Sequence, residues 1–274
     1  MSLANKTVWV VGGVGVIGRG IARNILKSGA TVIVNSRSEE RLVRLSEDLG
    51  NPDQLLTVKG SLLPGYAGKT VGETLSAAPP LDHVVAHGAV RYWGAKTEGG
   101  GYDETHSILN PRGGLFEMGT EDFRLAASHL ASMHFSAAQQ LIPRIQFSNG
   151  ASSYTFVTGD GGGHPGGARS PLAELNAHHV WGLSAALRGQ SHGGVNFREV
   201  RLRLEVNRPM EQREAEPRER PLSSDIGRLC AGMVANPEGM DDAGKLIEVP
   251  DHETMESLLS QYCGADFDGL ETAV

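Results

Sequence analysis

Three groups of residues have the type and spacing to do chemistry. The first is Gly12-Gly13-Val14-Gly15-Val16-Ile17-Gly18, directly after the apolar run Val8 to Val11. Gly12 lets the chain turn sharply, Gly15 lets the backbone approach a pyrophosphate, and Gly18 lets a helix pack closely on a sheet. The amides of Val16, Ile17 and Gly18 open that helix, and its dipole adds roughly 0.3–1 kcal/mol toward a phosphate. A lone glycine pattern is weak, but this one sits between a strand and a helix and is followed by a second strand. The second group is Asn35-Ser36-Arg37, at the end of that second strand. An NAD site places Asp or Glu there for the ribose hydroxyls. A guanidinium at Arg37 instead suits a 2′-phosphate, so the cofactor expected is NADP(H), preferred over NADH. The third group is Thr158-Gly159-Asp160-Gly161-Gly162-Gly163-His164. Asp160 and His164 are close enough in sequence to share a site, and His is a common general acid. The same stretch also reads as a glycine-rich loop with a turn-forming Asp and a surface His. Tyr92 and Tyr102 are further donor candidates. His178 and His179 are adjacent on a helix and face different sides, so no metal site is expected.

The elements that must position these groups alternate. Val8 to Val11 reads as a strand covered on both faces. Ile17, Ile21 and Ile25 follow at helical spacing. Thr31 to Val34 is a second strand, and Glu39 to Leu49 a helix with Ser38 as its N-cap. Leu55 to Val58 and His83 to Ala86 read as strands three and four. Residues 90–119 have no clear period and read as a long loop. A helix spans Glu121 to Ile145, with Phe123, Ala127, Leu130, His134, Ala137 and Leu141 in one stripe. Tyr154 to Thr158 is strand five. Pro171 to Leu187 is a helix with Leu172, Leu175, His179, Leu183 and Leu187 near one face. Val200, Leu202, Leu204 and Val206 alternate with charged residues, a strand period. Residues 208–220 read as a charged lid, a helix lies near Asp225 to Ala235, and Leu246 to Val249 is a final strand. This cadence predicts an α/β fold: a doubly wound parallel sheet, the Rossmann fold, as a single domain over residues 1–274.

The composition limits the function classes. The chain has 274 residues and a formal net charge of −7. An acidic balance argues against a nucleic-acid or acidic-membrane partner. No apolar run approaches the length of a membrane span. Two cysteines in such a chain make no disulfide framework, so a reducing compartment is expected. The first strand begins near the N-terminus and leaves no room for a targeting peptide, so the location expected is cytoplasmic, or an organelle stroma or matrix if a transit peptide was removed.

With these residues in place, the chain resembles the short-chain dehydrogenase/reductase family over nearly its whole length. The glycine turn, Val84-Val85-Ala86-His87-Gly88-Ala89, the long helix ending at Pro143, Gly182 to Leu187 and Gly244 to Val249 carry the resemblance. The turn departs from the family's Gly-x-x-x-Gly-x-Gly, with Val16 at the middle glycine's place. The resemblance implies Ser61 and Leu62 beside the adenine, and Ala86, His87 and Gly88 bordering the cofactor ribose. It also implies a homo-oligomer paired through the two long helices. The family's catalytic helix carries Tyr-x-x-x-Lys, supported by Ser and Asn. Counting back from Gly182, Ala173 and Ala177 hold the Tyr and Lys places, or Leu172 and Asn176 with a one-residue shift. Gly159 or Asp160 holds the Ser place, and His129 or Leu130 the Asn place. Where the family has Pro-Gly after strand six, Glu205 to Pro209 follows. The chain therefore reads as an atypical member lacking that motif.

Two function classes follow. One is a carbonyl or enoyl oxidoreductase acting on an unknown small molecule, with Asp160 or His164 as a non-standard proton donor. The other is a non-catalytic NADP(H)-binding sensor, regulator or assembly subunit.

Overall fold

The computed structural model describes residues 2–88, 116, 119–146, 152–159, 171–204, 222–236 and 245–264. In chain order the elements are β1 (Thr7–Val11), α1 (Val16–Lys27), β2 (Thr31–Ser36), α2 (Glu39–Asp48), β3 (Leu55–Lys59), α3 (Ala67–Ala77) and β4 (His83–His87). Then come α4 (Thr120–Leu141), β5 (Ser152–Gly159), α5 (Pro171–Arg188), β6 (Val195–Leu202), α6 (Leu222–Ala235), β7 (Leu246–Val249) and α7 (His252–Cys263). All the strands pair in parallel in one sheet, ordered β3-β2-β1-β4-β5-β6-β7. The order runs outward in both directions from β1 and β4, as in doubly wound dinucleotide-binding sheets.

Burial on both faces explains the continuous apolar character of β1. Val8 and Val10 join Ile21 and Ile25 of α1, Leu42 and Leu45 of α2, Ile226 of α6 and Met255 of α7. Trp9 and Val11 join Val71 of α3, Leu141 of α4 and Val180 of α5 on the opposite face. Helix α1, which carries the glycine turn, is anchored by close backbone approach to α6. A Cβ on Gly20 would overlap the Ser223 carbonyl, and one on Gly227 would overlap the Gly20 carbonyl. The Asn24 amide seals this crossing, donating to the carbonyls of Gly20 at 2.9 Å and Ser224 at 3.4 Å.

The Ser38 hydroxyl accepts from the Arg41 amide at 3.2 Å, capping α2 as expected. Strand six differs from its expected place: it begins at Val195 and ends at Leu202, so Leu204 lies beyond it. Alternation pointed to the wrong stretch because β6 holds Arg198 and Glu199 fully buried within it. The expected stripe on α5 is also displaced. Its buried line is Asn176, Val180 and Ser184, while His179 is exposed. Two polar residues on the inner face hid the true period. Helices α3 and α7 had no sequence-based counterpart. The long loop at 90–119, except residues 116 and 119, lies outside the described residues, as does the lid at 208–220.

Candidate functional site

The carboxyl ends of β1, β2, β3 and β4 are adjacent, and every residue expected to hold the cofactor falls on them. At the end of β1, Gly12 has φ 78°, a conformation that favours glycine. A Cβ there would overlap the carbonyl of His87, and a Cβ on Gly18 would overlap that of Gly12. Gly15 is different. A Cβ there would stand 3.4 Å from the Gly12 oxygen, ordinary contact. Gly15 is the N-cap of α1 and supplies no side-chain cap. Among the described residues the first-turn amides at Val16, Ile17 and Gly18 thus have no side-chain cap, the arrangement that suits an anion. Val16 is 47% exposed, and Ile17 packs on the core.

At the end of β2, Asn35 is tied into the fold. Its Oδ1 accepts from Trp9 Nε1 at 3.0 Å, and its Nδ2 donates to the Gly60 carbonyl at 3.4 Å. The Ser36 hydroxyl accepts from the Ser38 amide at 3.1 Å. Arg37 is exposed and has no ion-pair partner among the described residues. The nearby acid Glu39 pairs instead with Lys59 at 3.0 Å. Across the cleft, His129 of α4 is held below the usual imidazole range by burial, and then by the Arg37 charge. Beyond β3, Ser61 is fastened to Thr70, whose hydroxyl donates to the Ser61 carbonyl at 2.9 Å. The Leu62 side chain is buried in the core.

At the end of β4, the His134 ring of α4 lies against Gly88. Its Nε2 donates to the Gly88 carbonyl at 3.0 Å. The ring also packs on Phe156, centroids 4.7 Å apart. Burial lowers His134 to a pKa of about 4, and burial followed by the His134 charge does the same for His87. Nδ1 of each ring is buried without a hydrogen-bond partner among the described residues. His134 had been read from sequence only as part of an apolar stripe.

Asn176 and Ala177 lie on α5, and Asn176 is fully buried. Its Oδ1 accepts from the Leu130 amide of α4 at 3.4 Å. The side chain read at the family's Lys place under the one-residue shift is therefore tied to the backbone of Leu130, one of the two residues read at the family's Asn place. At the end of β5, the Thr158 hydroxyl donates to Glu199 Oε1 at 2.7 Å. The same buried carboxylate takes Arg201 at 2.8 Å and Arg188 at 3.2 Å. Arg201 in turn covers the Trp181 ring at 5.1 Å. This network fastens β5, β6 and α5 just below Gly159. His178 and His179 have separate partners: the Trp181 ring at 4.6 Å, and the Ala127 carbonyl at 2.6 Å.

Asp160, His164, Tyr92 and Tyr102 lie outside the described residues. One spacing had been missed there. Tyr92-Trp93-Gly94-Ala95-Lys96 is a Tyr-x-x-x-Lys, although it precedes α4 in the chain instead of lying on α5. The motif is absent from its usual helix, not from the whole sequence.

Comparison with known proteins falls on the same features. A family model described as NADP oxidoreductase coenzyme F420-dependent matches residues 7–63, from β1 to just past β3. No curated protein matches the sequence. Solved structures match far more of the chain. The Pseudomonas aeruginosa RhlG/NADP active-site complex aligns at TM-score 0.68 and 17% identity, covering 90% of this chain and 96% of that one. A short-chain dehydrogenase/reductase, glucose/ribitol dehydrogenase, from Brucella melitensis aligns at TM-score 0.66 and 19% identity, over 91% and 97% of the two chains. The 3-ketoacyl-(acyl-carrier-protein) reductase from Brucella melitensis complexed with NADH gives TM-score 0.64 and 20% identity, over 90% and 98%. The chain thus has the Rossmann-type α/β fold of the short-chain dehydrogenases/reductases.

Proposed function

We propose that this chain binds NADP(H) and works as an oxidoreductase of the short-chain dehydrogenase/reductase type on a carbonyl or enoyl compound. One observation carries the reading. The uncapped start of α1 follows a turn that admits no side chain at Gly12 or Gly18, and Arg37, with no ion-pair partner among the described residues, stands one strand away. The first feature fits a pyrophosphate and the second a 2′-phosphate. When bound, the cofactor would supply or accept a hydride. The first-turn amides and Arg37 hold its charged groups. Ser61 and Leu62 flank the adenine by backbone and shape, and His87 and Gly88 border the far ribose. Proton transfer falls to Asp160 or His164, or to Tyr92 with Lys96 four residues on.

A second reading is favoured by Asn176. Its buried side chain is engaged by α4 at the place where a catalytic lysine would stand. A chain that keeps the nucleotide turn but not this group fits a non-catalytic NADP(H) sensor, regulator or assembly subunit. Exposed Leu125 and Phe135 on α4 support pairing of two copies through α4 and α5. Light scattering that gives only monomer would remove that pairing. A cytoplasmic location, or a stroma or matrix, belongs to the same proposal, supported by the two buried, unbridged cysteines. Fractionation of a tagged chain tests it.

The test of catalysis follows NADPH absorbance with a panel of aldehydes, ketones, quinones and enoyl thioesters. The reading expects turnover with at least one class, lost in Asp160→Ala, His164→Ala or Tyr92→Phe. Tight NADPH binding with no turnover assigns the sensor reading. Turnover that survives all three variants removes these proton donors.

A further inference from the structure

Helix α4 presents two different flanks above the sheet. One leans on α5, where His179 Nδ1 donates to the Ala127 carbonyl at 2.6 Å. The other carries His129, Met133 and Gln140, whose helical spacing puts them on one line. Met133 marks where this line meets the sheet: a Cβ on Gly88 would stand 3.2 Å from its Cε. Gln140 marks where it meets α3: a Cβ on Gly68 would stand 3.6 Å from its Oε1. Gly68 is in the first turn of α3, and α3 packs on β1 and β2 through Ala67 and Val71. The flank of His129 therefore faces the β1 and β2 side of the sheet. His129 precedes Met133 by one turn, and α4 runs from the cleft toward the start of β5. At 1.5 Å per residue it stands about 16 Å up the helix from Gln140, beyond the start of α3. The half-buried ring thus overhangs the carboxyl ends of the strands. Across from it, at the end of β2, is Arg37, two strand spacings or about 10 Å from β4. Neither the His129 ring nor the Arg37 guanidinium has a hydrogen-bond or ion-pair partner among the described residues.

We propose that His129 is the second contact of the cofactor's 2′-phosphate, facing Arg37 across the slot between α4 and the end of β2. This rests on the reading of Arg37 above and extends it to a residue on α4. A phosphate monoester offers three acceptor oxygens, enough for a guanidinium on one side and an imidazole N–H on the other. The electrostatics of the slot agree. In the free chain burial, and then the Arg37 charge, hold His129 below the usual imidazole range, so it is neutral near pH 7. A dianion placed between the two groups offsets the Arg37 charge and favours the imidazolium, so the ring takes up a proton on binding. The other charges around the ring are already matched. On α4 itself, Arg124 pairs with Glu121 at 2.9 Å. Near the start of α3, Lys69 pairs with Glu73 at 3.8 Å, and at the end of β3 Lys59 pairs with Glu39 at 3.0 Å. From α5, His179 is tied to the Ala127 carbonyl. His87 and His134, at the end of β4, stay neutral with pKa values of about 4. Cofactor binding should therefore tighten as pH falls from 8 toward 6.5, through the protonation of His129.

Calorimetry with NADP+ and NAD+, which lacks the 2′-phosphate, tests the contact. At pH 6.5, His129→Gln should weaken NADP+ by about fivefold and leave NAD+ within about twofold. At pH 8 the NADP+ gap between wild type and variant should narrow to about twofold, because the ring is then largely neutral. The 2′-phosphate itself titrates near pH 6 in both proteins, so their difference isolates the ring. Unchanged NADP+ affinity, an equal loss for both cofactors, or a gap that does not vary with pH overturns the proposal. Wild-type protein provides a test that needs no variant to fold. The imidazole resonances of His129 should titrate at a higher pH with NADP+ bound than with NAD+ bound. The same midpoint with both cofactors overturns the contact. Equal wild-type affinity for NADP+ and NAD+ overturns the Arg37 reading, and His129 with it. A retained NADP+ preference without any His129 effect overturns this contact alone.

Discussion

The carbonyl oxygen of His87 occupies the space that a Cβ on Gly12 would need. The glycine turn after β1 and the end of β4 therefore fit only as backbone against backbone. This contact sets the floor of the cleft, because it fixes the start of α1 relative to the strand carrying His87. The three glycines of the turn consequently answer to different demands.

Gly12→Ala should combine a positive φ with a backbone clash, and Gly18→Ala a clash with the Gly12 carbonyl. Each should lower stability by about 2–4 kcal/mol. Gly15→Ala meets only ordinary contact, so the melting temperature should hold while NADPH affinity falls. Thermal melts with cofactor fluorescence titrations separate the cases. A Gly15→Ala chain that melts early, or binds NADPH normally, would contradict this division.

Arg37 is exposed and unpaired among the described residues, so its removal should leave the fold intact. Arg37→Ala should cut NADPH affinity by about tenfold or more and leave NADH affinity nearly unchanged, since a charge-assisted bond to the 2′-phosphate is lost. Raising the salt concentration should weaken NADPH binding more in the wild type than in the variant. Binding isotherms at two ionic strengths give both comparisons.

The nucleotide half was legible in the sequence because each signal was local. Burial on both faces wrote β1 as an apolar run, and the glycine turn followed at once. The far half was less legible because its cues are long-range. Glu199 is polar in sequence, yet it is buried by Thr158, Arg188 and Arg201 from three elements. The inner face of α5 carries Asn176 and Ser184, so its apolar residues pointed to the wrong side. His134 looked like one more member of a helical stripe until its bond to Gly88 set it beside His87. Helix α3 was missed because its amphipathic stripe is built from Ala67, Thr70, Val71 and Thr74.

The Glu199 network makes its own prediction. Glu199→Gln keeps the shape but removes the anion between two guanidinium groups. Stability should fall by about 3–5 kcal/mol, the cost of breaking a buried ion pair. Thr158→Val removes one hydrogen bond to that carboxylate and should cost about 1.5–3 kcal/mol. Urea denaturation measures both, and a neutral Glu199→Gln would show that the network does not fasten β6.

Acid should destabilise the fold through its buried histidines. Burial first, and then the charges of Lys6 and Arg198, lower His83 from 6.5 to about 3. His87 and His134 are lowered from 6.5 to about 4. Below pH 6.5 the unfolded chain binds protons at these rings while the folded chain does not. Stability is therefore complete above that pH and declines toward the folded values, each ring contributing up to about 1.4 kcal/mol per pH unit. Urea unfolding from pH 7.5 to 5 should show a shallower decline in His134→Phe than in the wild type. Parallel slopes would mean that His134 is not held neutral.

Titrating the wild-type chain with NADPH and then NADH in a calorimeter tests the central claim most directly. The account predicts saturable binding of one cofactor per chain, with NADPH tighter by about tenfold or more, at least 1.4 kcal/mol. Equal affinity for the two cofactors, or no binding of either, would contradict it.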